Sequence, residues 1–189
     1  QRLGAEAGAH RFVWDLRYPP PPASSHSYPI SAIYRDTPRE PRGPWALPGT
    51  YTVRLTVGGR SLTRPLTIRM DPRVTTPAAG LAAQFALATR MADAMRRDSA
   101  VLHDVRALRA RLTPQRERAG VAPVVDSLTA LDRELARVVG QLEQLFGIVE
   151  GADAAPTTQA LRGAETLERA LAALLVRVDA VKREAAAVA

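Results

Sequence analysis

The stretch Gly49–Val74, GTYTVRLTVGGRSLTRPLTIRMDPRV, predicts a β-hairpin around which the rest of the chain is organised. Apolar residues at 51, 53, 55 and 57 alternate with Thr and Arg. This period of two places one face of a strand on a core and the other face in water. The pair Gly58-Gly59 then supplies the two positive-φ positions of a type I′ turn. We therefore expect two antiparallel strands joined by a two-residue turn.

A turn of this length fixes the register of the two strands. Leu55 then lies opposite Leu62, and Tyr51 opposite Leu66, so that apolar cross-strand pairs stabilise the hairpin. Pro65 has no N–H and is expected at an edge or a bulge. With the strand described next, three strands offer more apolar side chain than they can cover themselves. We expect upstream sequence or a partner protein to cover the sheet, so that the hairpin is also a docking surface, and the alternative is a reduced sheet capped by the proline-rich segment and the helices.

A further strand is predicted over residues 10–18, HRFVWDLRY. Alternation places Phe12, Trp14 and Leu16 on one face and the charged residues on the other. Trp14 is then expected to be a core residue of a small β-sandwich. Three strands do not close two layers, so the predicted sandwich is incomplete.

The segment between the predicted strands differs in kind. Residues 19–48 hold nine of the 15 prolines and show no periodicity. Loops of this length are usually functional, disordered or docking segments. Aromatic residues in the loop could frame a ligand or lie on a neighbouring domain. Together with apolar residues of the hairpin they form the predicted interaction surface: Tyr28, Tyr34, Trp45, Tyr51, Leu55 and Leu66.

Residues 75–189 carry almost no β signal and contain three apolar stripes with residues spaced three and four apart. Short connections between three long stripes predict an antiparallel three-helix bundle. The second stripe follows a heptad alternation. Its members are Val124, Leu128, Leu131, Leu135, Val138, Leu142, Leu145 and Val149. In the first stripe the alternation runs through Met95 and Leu102.

Composition restricts the function. The formal net charge is +7 and the pI about 10.8, which suggests nucleic acid, but the excess is spread along the first two-thirds and forms no dense basic run. We therefore favour a solvated basic surface over nucleic-acid binding. There are no cysteines, so thiolate metal sites and disulfides are not available. No apolar run approaches the roughly 20 residues that span a membrane.

No catalytic motif is present. The three histidines, His10, His26 and His103, lie far apart and have no partner at the spacing of a metal site. Neither a nucleophile elbow nor a phosphate-binding glycine loop occurs. Asp15 and Asp71 flank predicted strands, where pairing with a neighbouring arginine is expected. We predict no catalytic residue, no cofactor and no metal in this chain.

Three stretches of the chain resemble a known arrangement: HRFVWDLRYP, PGTYTVRLTVGGRSLTRPLTIRMDPRV and LAAQFALATRMADAM. They resemble the C-terminal region of large secreted bacterial proteins with sortilin-like or sialidase-like β-propellers, often labelled glycosyl hydrolase or BNR-repeat proteins. The segment APTTQA at Ala155–Ala160 is similar to the start of the last helix in that arrangement. There, an immunoglobulin-like sandwich precedes an α-helical tail.

The resemblance completes the predicted fold class. It is α+β, with a partial immunoglobulin-like β-sandwich over residues 1–74 followed by the antiparallel three-helix bundle over residues 75–189. The resemblance implies that the first strands of the sandwich, and a propeller with any hydrolase activity, precede Gln1. It also implies an extracytoplasmic location, periplasmic or secreted.

The predicted function is that of a non-catalytic accessory or interaction module of an exported bacterial protein. Its expected partners are propeller or sandwich strands of the same parent, or a separate partner protein. Two alternatives remain. The chain could be a fragment of a glycoside hydrolase whose catalytic part lies upstream, or a carbohydrate-binding module that stacks a glycan on the aromatic residues of the loop.

Overall fold

The computed structural model describes residues 4, 6–23, 26–28, 30, 31, 33, 34 and 37–188. Gln1, at which the sequence begins, lies outside the described residues, as do several positions of the proline-rich loop. One β-hairpin and three long helices follow one another along the chain. They are β1 Gly49–Val57, β2 Arg60–Ile68, α1 Ala78–Leu112, α2 Val121–Glu150 and α3 Thr158–Val188, with a short 3-10 turn at Thr113–Gln115.

The central helix α2 follows the heptad pattern of its sequence. Seven of the eight predicted stripe residues are buried, and Leu145 is half-buried against the same core. The largest fully buried side chains of the bundle include Phe146 of α2, and Met91 and Met95 of α1. Mutual burial of three apolar stripes offsets the entropy of ordering three long helices. The prediction of three helices is confirmed.

Ion pairs between helices show how the bundle is arranged. Arg90 pairs with Glu168, and Asp104 with Lys182, so residue numbers rise together along α1 and α3. Helix α2 runs the other way. Its first half contacts the end of α1 through Asp132 and Arg109, and its last turn contacts Gln84 near the start of α1. The helices therefore run up, down and up, as short connections require.

The buried side chain of Gln84 in α1 caps the C-terminal end of helix α2. Its amide nitrogen donates to the carbonyl oxygens of Val149 and Ala152, at 2.6 Å each. The last carbonyls of a helix have no partner within the helix, so a side-chain donor from a neighbouring helix satisfies them. This contact fixes α1 and the end of α2 together, at the end of the bundle where the N-terminal segment lies.

The hairpin has the predicted register. Leu55 lies opposite Leu62, and Tyr51 opposite Leu66, in an antiparallel pair. The turn residues Gly58 and Gly59 have φ angles of 53° and 77°, which residues with a Cβ adopt only at a cost. The local sequence therefore accounts for the turn and the pairing.

The predicted β-sandwich is wrong, and the fold class is corrected accordingly. The described residues contain one sheet of two strands, and residues 10–18 form no strand. Within them Arg17 makes only an isolated bridge to Trp45. Leu16 has a φ of 61°, and the indole of Trp14 donates to the Arg17 carbonyl at 2.8 Å. These local contacts turn the chain where the alternation predicted it to stay extended. The described part of the chain is a helical bundle with a hairpin and has no second sheet layer.

Candidate docking surface

None of the described residues outside the hairpin forms a layer over its apolar face. Val57 and Leu62 are each 68% exposed, and Leu55 is 48% exposed. Among the described residues, no Cα atom of either strand lies within 8 Å of a Cα atom of any helix. A two-stranded hairpin on its own is marginally stable in water. On this face of the described hairpin, patterned apolar side chains therefore lack a layer to pack on.

Three of the predicted interaction residues lie on this hairpin. Tyr51 and Leu66 are cross-strand partners, and Leu55 lies further along the same face of β1. Tyr51 is half-buried: its ring meets that of Trp14 edge-on at 5.6 Å, and its hydroxyl donates to the Leu47 carbonyl at 2.8 Å. The hairpin is therefore fixed at its base, and its exposed face begins just beyond Tyr51.

An ion pair joins the N-terminal segment, which precedes the hairpin, to the bundle. Arg17 donates to Glu150 at the end of α2, at 3.1 Å, and the exposed fractions of the two side chains are 7% and 8%. The same guanidinium donates to the Gly43 carbonyl at 2.7 Å and lies 3.8 Å from the centre of the Trp45 ring. The Trp45 backbone N–H donates to the same Glu150 oxygen at 3.1 Å. We call these four residues the anchor.

Burial governs the electrostatics of the anchor. Desolvation lowers the pKa of Arg17 and raises that of Glu150, although each charge attracts the other. Both shifts disfavour the charged forms, so desolvation outweighs the attraction within the pair. Such a pair specifies a contact more than it stabilises the fold, and losing one partner is costly because the other charge stays buried. The pair defines where the N-terminal segment meets α2.

Gly43 allows the closest approach in the anchor. A Cβ at this position would lie 1.8 Å from the Tyr18 carbonyl oxygen, a distance that no side chain tolerates. Two backbone hydrogen bonds hold the chains there, from Tyr18 to Pro44 at 2.9 Å and from Ala46 to Leu16 at 2.8 Å. Position 43 therefore requires glycine, because any side chain there would clash with the Tyr18 carbonyl.

The remaining predicted aromatic residues lie in the N-terminal segment. Trp45 belongs to the anchor, and Arg17 covers one face of its ring. Tyr28 has the guanidinium of Arg39 at 5.0 Å from its ring centre, and Tyr34 is largely exposed. The rings of Tyr28 and Trp45 thus each contact the guanidinium of a different arginine. The other group of predicted residues lies together on the hairpin: Tyr51, Leu55 and Leu66.

One buried group has no counterpart in the sequence prediction. Asp98 of α1 is fully buried, and neither carboxylate oxygen has a hydrogen-bond partner among the described residues. Burial raises its pKa to about 7, against a weaker opposing effect of Arg97. Buried Asp132 differs, since it accepts from Arg106 and Arg109 at 2.8 and 2.6 Å. The interruption of the α1 stripe after Met95 is the signal that could have located Asp98.

The described surface outside the hairpin has a groove beside the anchor and few features of a chemical site. An open groove of about 500 Å³ lies between the N-terminal segment and α2, lined by residues that include Arg17, Glu40 and Glu150. The described residues contain no cluster of three or more acidic or histidine side chains that could hold a metal ion. None of the described helices is long and apolar enough to cross a membrane. Asp71 accepts from Arg73 at 2.6 Å, which confirms the expected pairing at this carboxylate.

Arg17, Gly43, Glu150 and Asp98 are the residues that sequence reasoning did not select. Arg17 and Glu150 are 133 positions apart, and no pattern in the sequence links the two. Comparison with known proteins adds no relative to this description. No family model matches the chain, and no curated protein or solved structure is significantly similar to it.

Proposed function

We propose that this chain is a non-catalytic interaction module of an exported bacterial protein. In this proposal the hairpin docks on β-strands that the parent protein or a partner protein supplies. The exported location and the parent follow from the resemblance of the sequence to secreted propeller proteins. The observation that carries the proposal is the uncovered apolar face of the hairpin.

The contrast within the hairpin supports this function. Tyr51, at its base, packs on Trp14 and bonds to Leu47. From Val53 to the turn, apolar side chains that alternate as in a half-buried strand lie in water. Patterned apolar residues without a covering layer are typical of an interaction site.

The anchor also supports the proposed docking function, because it holds the segment before the hairpin on the bundle. Through Arg17 and Glu150, the segment preceding the hairpin is bonded to the end of α2. A hairpin held at its base but free along its length can present a fixed surface to a partner without the bundle changing shape. Preorganisation of this kind lowers the entropic cost of binding.

Hydrogen exchange of the backbone amides tests the proposal. In the chain on its own, we expect the amides of β1 and β2 to exchange fast and those of the α2 core to exchange slowly. In the native exported assembly, the hairpin amides should become slow while those of α2 stay unchanged. Slow exchange of the hairpin in the isolated chain, or equal rates in both samples, would contradict the proposal.

A further inference from the structure

The two edges of the hairpin are not equivalent. In an antiparallel pair, residues opposite each other alternate between hydrogen-bonded and non-hydrogen-bonded positions. The two-residue turn closes on the bonded pair Val57–Arg60, so the alternation assigns the pair Thr52–Pro65 to a non-bonded position. At such a position the backbone N–H points away from the partner strand. Pro65 therefore removes a donor from the outer edge of β2.

The outer edge of β1 keeps all its donors and acceptors. The residues whose backbone groups point outward there are Thr50, Thr52, Arg54 and Thr56. All four are exposed. In the described part of the chain, no backbone hydrogen bond joins residues 50–57 to anything outside the hairpin. The strand has no proline, and its pairing with β2 has no bulge. Proteins usually protect an edge by such devices, and an unprotected edge can accept another strand.

The charge of the hairpin indicates which kind of partner strand fits the open edge of β1. Residues 49–70 contain four arginines and no acidic residue. The arginines are Arg54, Arg60, Arg64 and Arg69. Within the described residues none of them forms a salt bridge. Arg54 lies in the middle of β1, beside the open edge.

We propose that the outer edge of β1 binds an extended acidic strand of a partner protein, in which apolar residues alternate with Asp or Glu. This inference rests on the proposed docking function and names its edge and its partner. Main-chain hydrogen bonds to the four outward positions give affinity, and side chains on alternate faces give specificity. The apolar side chains of the added strand continue the face that contains Val53 and Leu55. Its carboxylates lie beside Arg54.

A second copy of this chain is a poorer occupant. Pairing of β1 with β1 of another copy would bring two basic hairpins together without a neutralising carboxylate. Like charges across an interface oppose association. The charge pattern therefore favours a heterologous acidic strand.

Synthetic peptides test the inference directly. The probe is a peptide of about nine residues in which Val alternates with Glu, and the control peptide has Lys in place of Glu. We expect the acidic peptide to shift the amide resonances of the four outward residues of β1 and to bind more weakly as salt increases. No binding of the acidic peptide at millimolar concentration and low salt would overturn the inference, as would equal binding of the lysine peptide.

A matched pair of proline variants tests the edge. Thr52→Pro removes an outward N–H from β1, and Thr63→Pro removes one from β2, both at exposed non-bonded positions. We expect Thr52→Pro to weaken binding about tenfold or more and Thr63→Pro to change it less than about threefold. Equal losses in the two variants would reject the β1 edge.

A charge reversal keeps the test decisive if a proline disturbs the hairpin. Arg54→Glu leaves the edge intact and should weaken the acidic peptide about tenfold while strengthening the lysine peptide. An unchanged preference would overturn the acidic partner. Self-association that protects β1 amides without peptide would instead identify a second copy as the occupant, and would overturn the inference too. If the hairpin is protected in the native assembly and the acidic peptide fails, the docking function stands and this inference falls.

Discussion

The bundle and the hairpin use the same kinds of apolar residue with opposite results. Leu135 of α2 is fully buried, whereas Leu62 of β2 is 68% exposed. Both belong to regular apolar patterns, one of period 3.5 and the other of period two. The difference is in what faces the pattern. Helix α2 meets two other apolar stripes of the same chain, and no second sheet layer covers the hairpin in the described structure.

The comparison teaches that an amphipathic pattern defines a face, whereas its burial depends on a second face of matching shape. Three helices supply such faces for one another, because their connections are short. A hairpin needs a third strand, a second sheet or a helix, and here it is held at its base, where Tyr51 contacts Trp14 and Leu47. Experiments can sharpen this contrast, beginning with the bundle core.

Leu135→Ala is expected to have the largest effect. The substitution removes buried methyl groups and leaves a cavity between packed helices, at a cost of about 2–5 kcal/mol in the free energy of unfolding. Chemical denaturation of the variant and the parent chain, followed by circular dichroism at 222 nm, measures the difference. A loss below about 0.5 kcal/mol would show that α2 does not carry the core.

Asp98→Leu should stabilise the bundle at pH 8, by about 1–3 kcal/mol, because it removes a buried carboxylate without partners. In the parent chain the folded pKa is about 7 and the ordinary value is 3.8. The folded state thus holds the proton more tightly than the unfolded state. Tighter proton binding at Asp98 therefore adds to the free energy of unfolding. This contribution is complete below about pH 4 and is lost as the pH rises through about 7.

Thermal unfolding from pH 4 to pH 8 measures this linkage. The variant should show a smaller decline of stability over that range than the parent chain. Asp132→Leu is the matched control, since it removes a buried carboxylate that has two arginine partners and should destabilise. Identical pH profiles for the Asp98 variant and the parent would contradict the assignment.

Arg17→Ala is expected to detach the N-terminal segment from the bundle. It leaves Glu150 buried with only the Trp45 N–H as a donor in the anchor, so we expect the N-terminal segment to detach at a local cost of about 1–3 kcal/mol. Fluorescence quenching of Trp14 and Trp45 should increase, while the helical signal stays constant. Arg73→Ala is the control, because its ion pair with Asp71 is exposed. Unchanged quenching would mean that the anchor does not hold the segment.

Leu62→Ala is the counterpart of Leu135→Ala and should have the smallest effect. Because the side chain lies largely in water, we expect a change within about 0.5 kcal/mol in the isolated chain. In the native assembly, where a partner covers this face under our proposal, the same substitution should weaken association. Equal losses for Leu62 and Leu135 in the isolated chain would remove the contrast between the two regions.

Much of the local structure could be predicted. The eight-residue stripe of α2, the glycine turn and the pairing of Leu55 with Leu62 all follow from neighbours close in sequence. The strand over residues 10–18 could not be judged in this way. Its alternation is real, but a strand requires a partner along its length, and among the described residues this segment forms backbone hydrogen bonds only with Pro44 and Ala46. Three of the six residues of the predicted interaction surface, Tyr51, Leu55 and Leu66, share the hairpin, and their role in binding stays a prediction.

The sequence by itself determined the three helices, the turn and the register of the hairpin, because periodicity and positive-φ glycines act over a few residues. Tertiary structure alone decided the anchor, in which Arg17 meets Glu150 across 133 positions and Gly43 admits the Tyr18 carbonyl. It also decided that, among the described residues, the carboxylate of Asp98 has no hydrogen-bond partner while that of Asp132 has two. Such contacts depend on which distant side chains the folded backbone brings together, and local sequence patterns do not determine these long-range pairings.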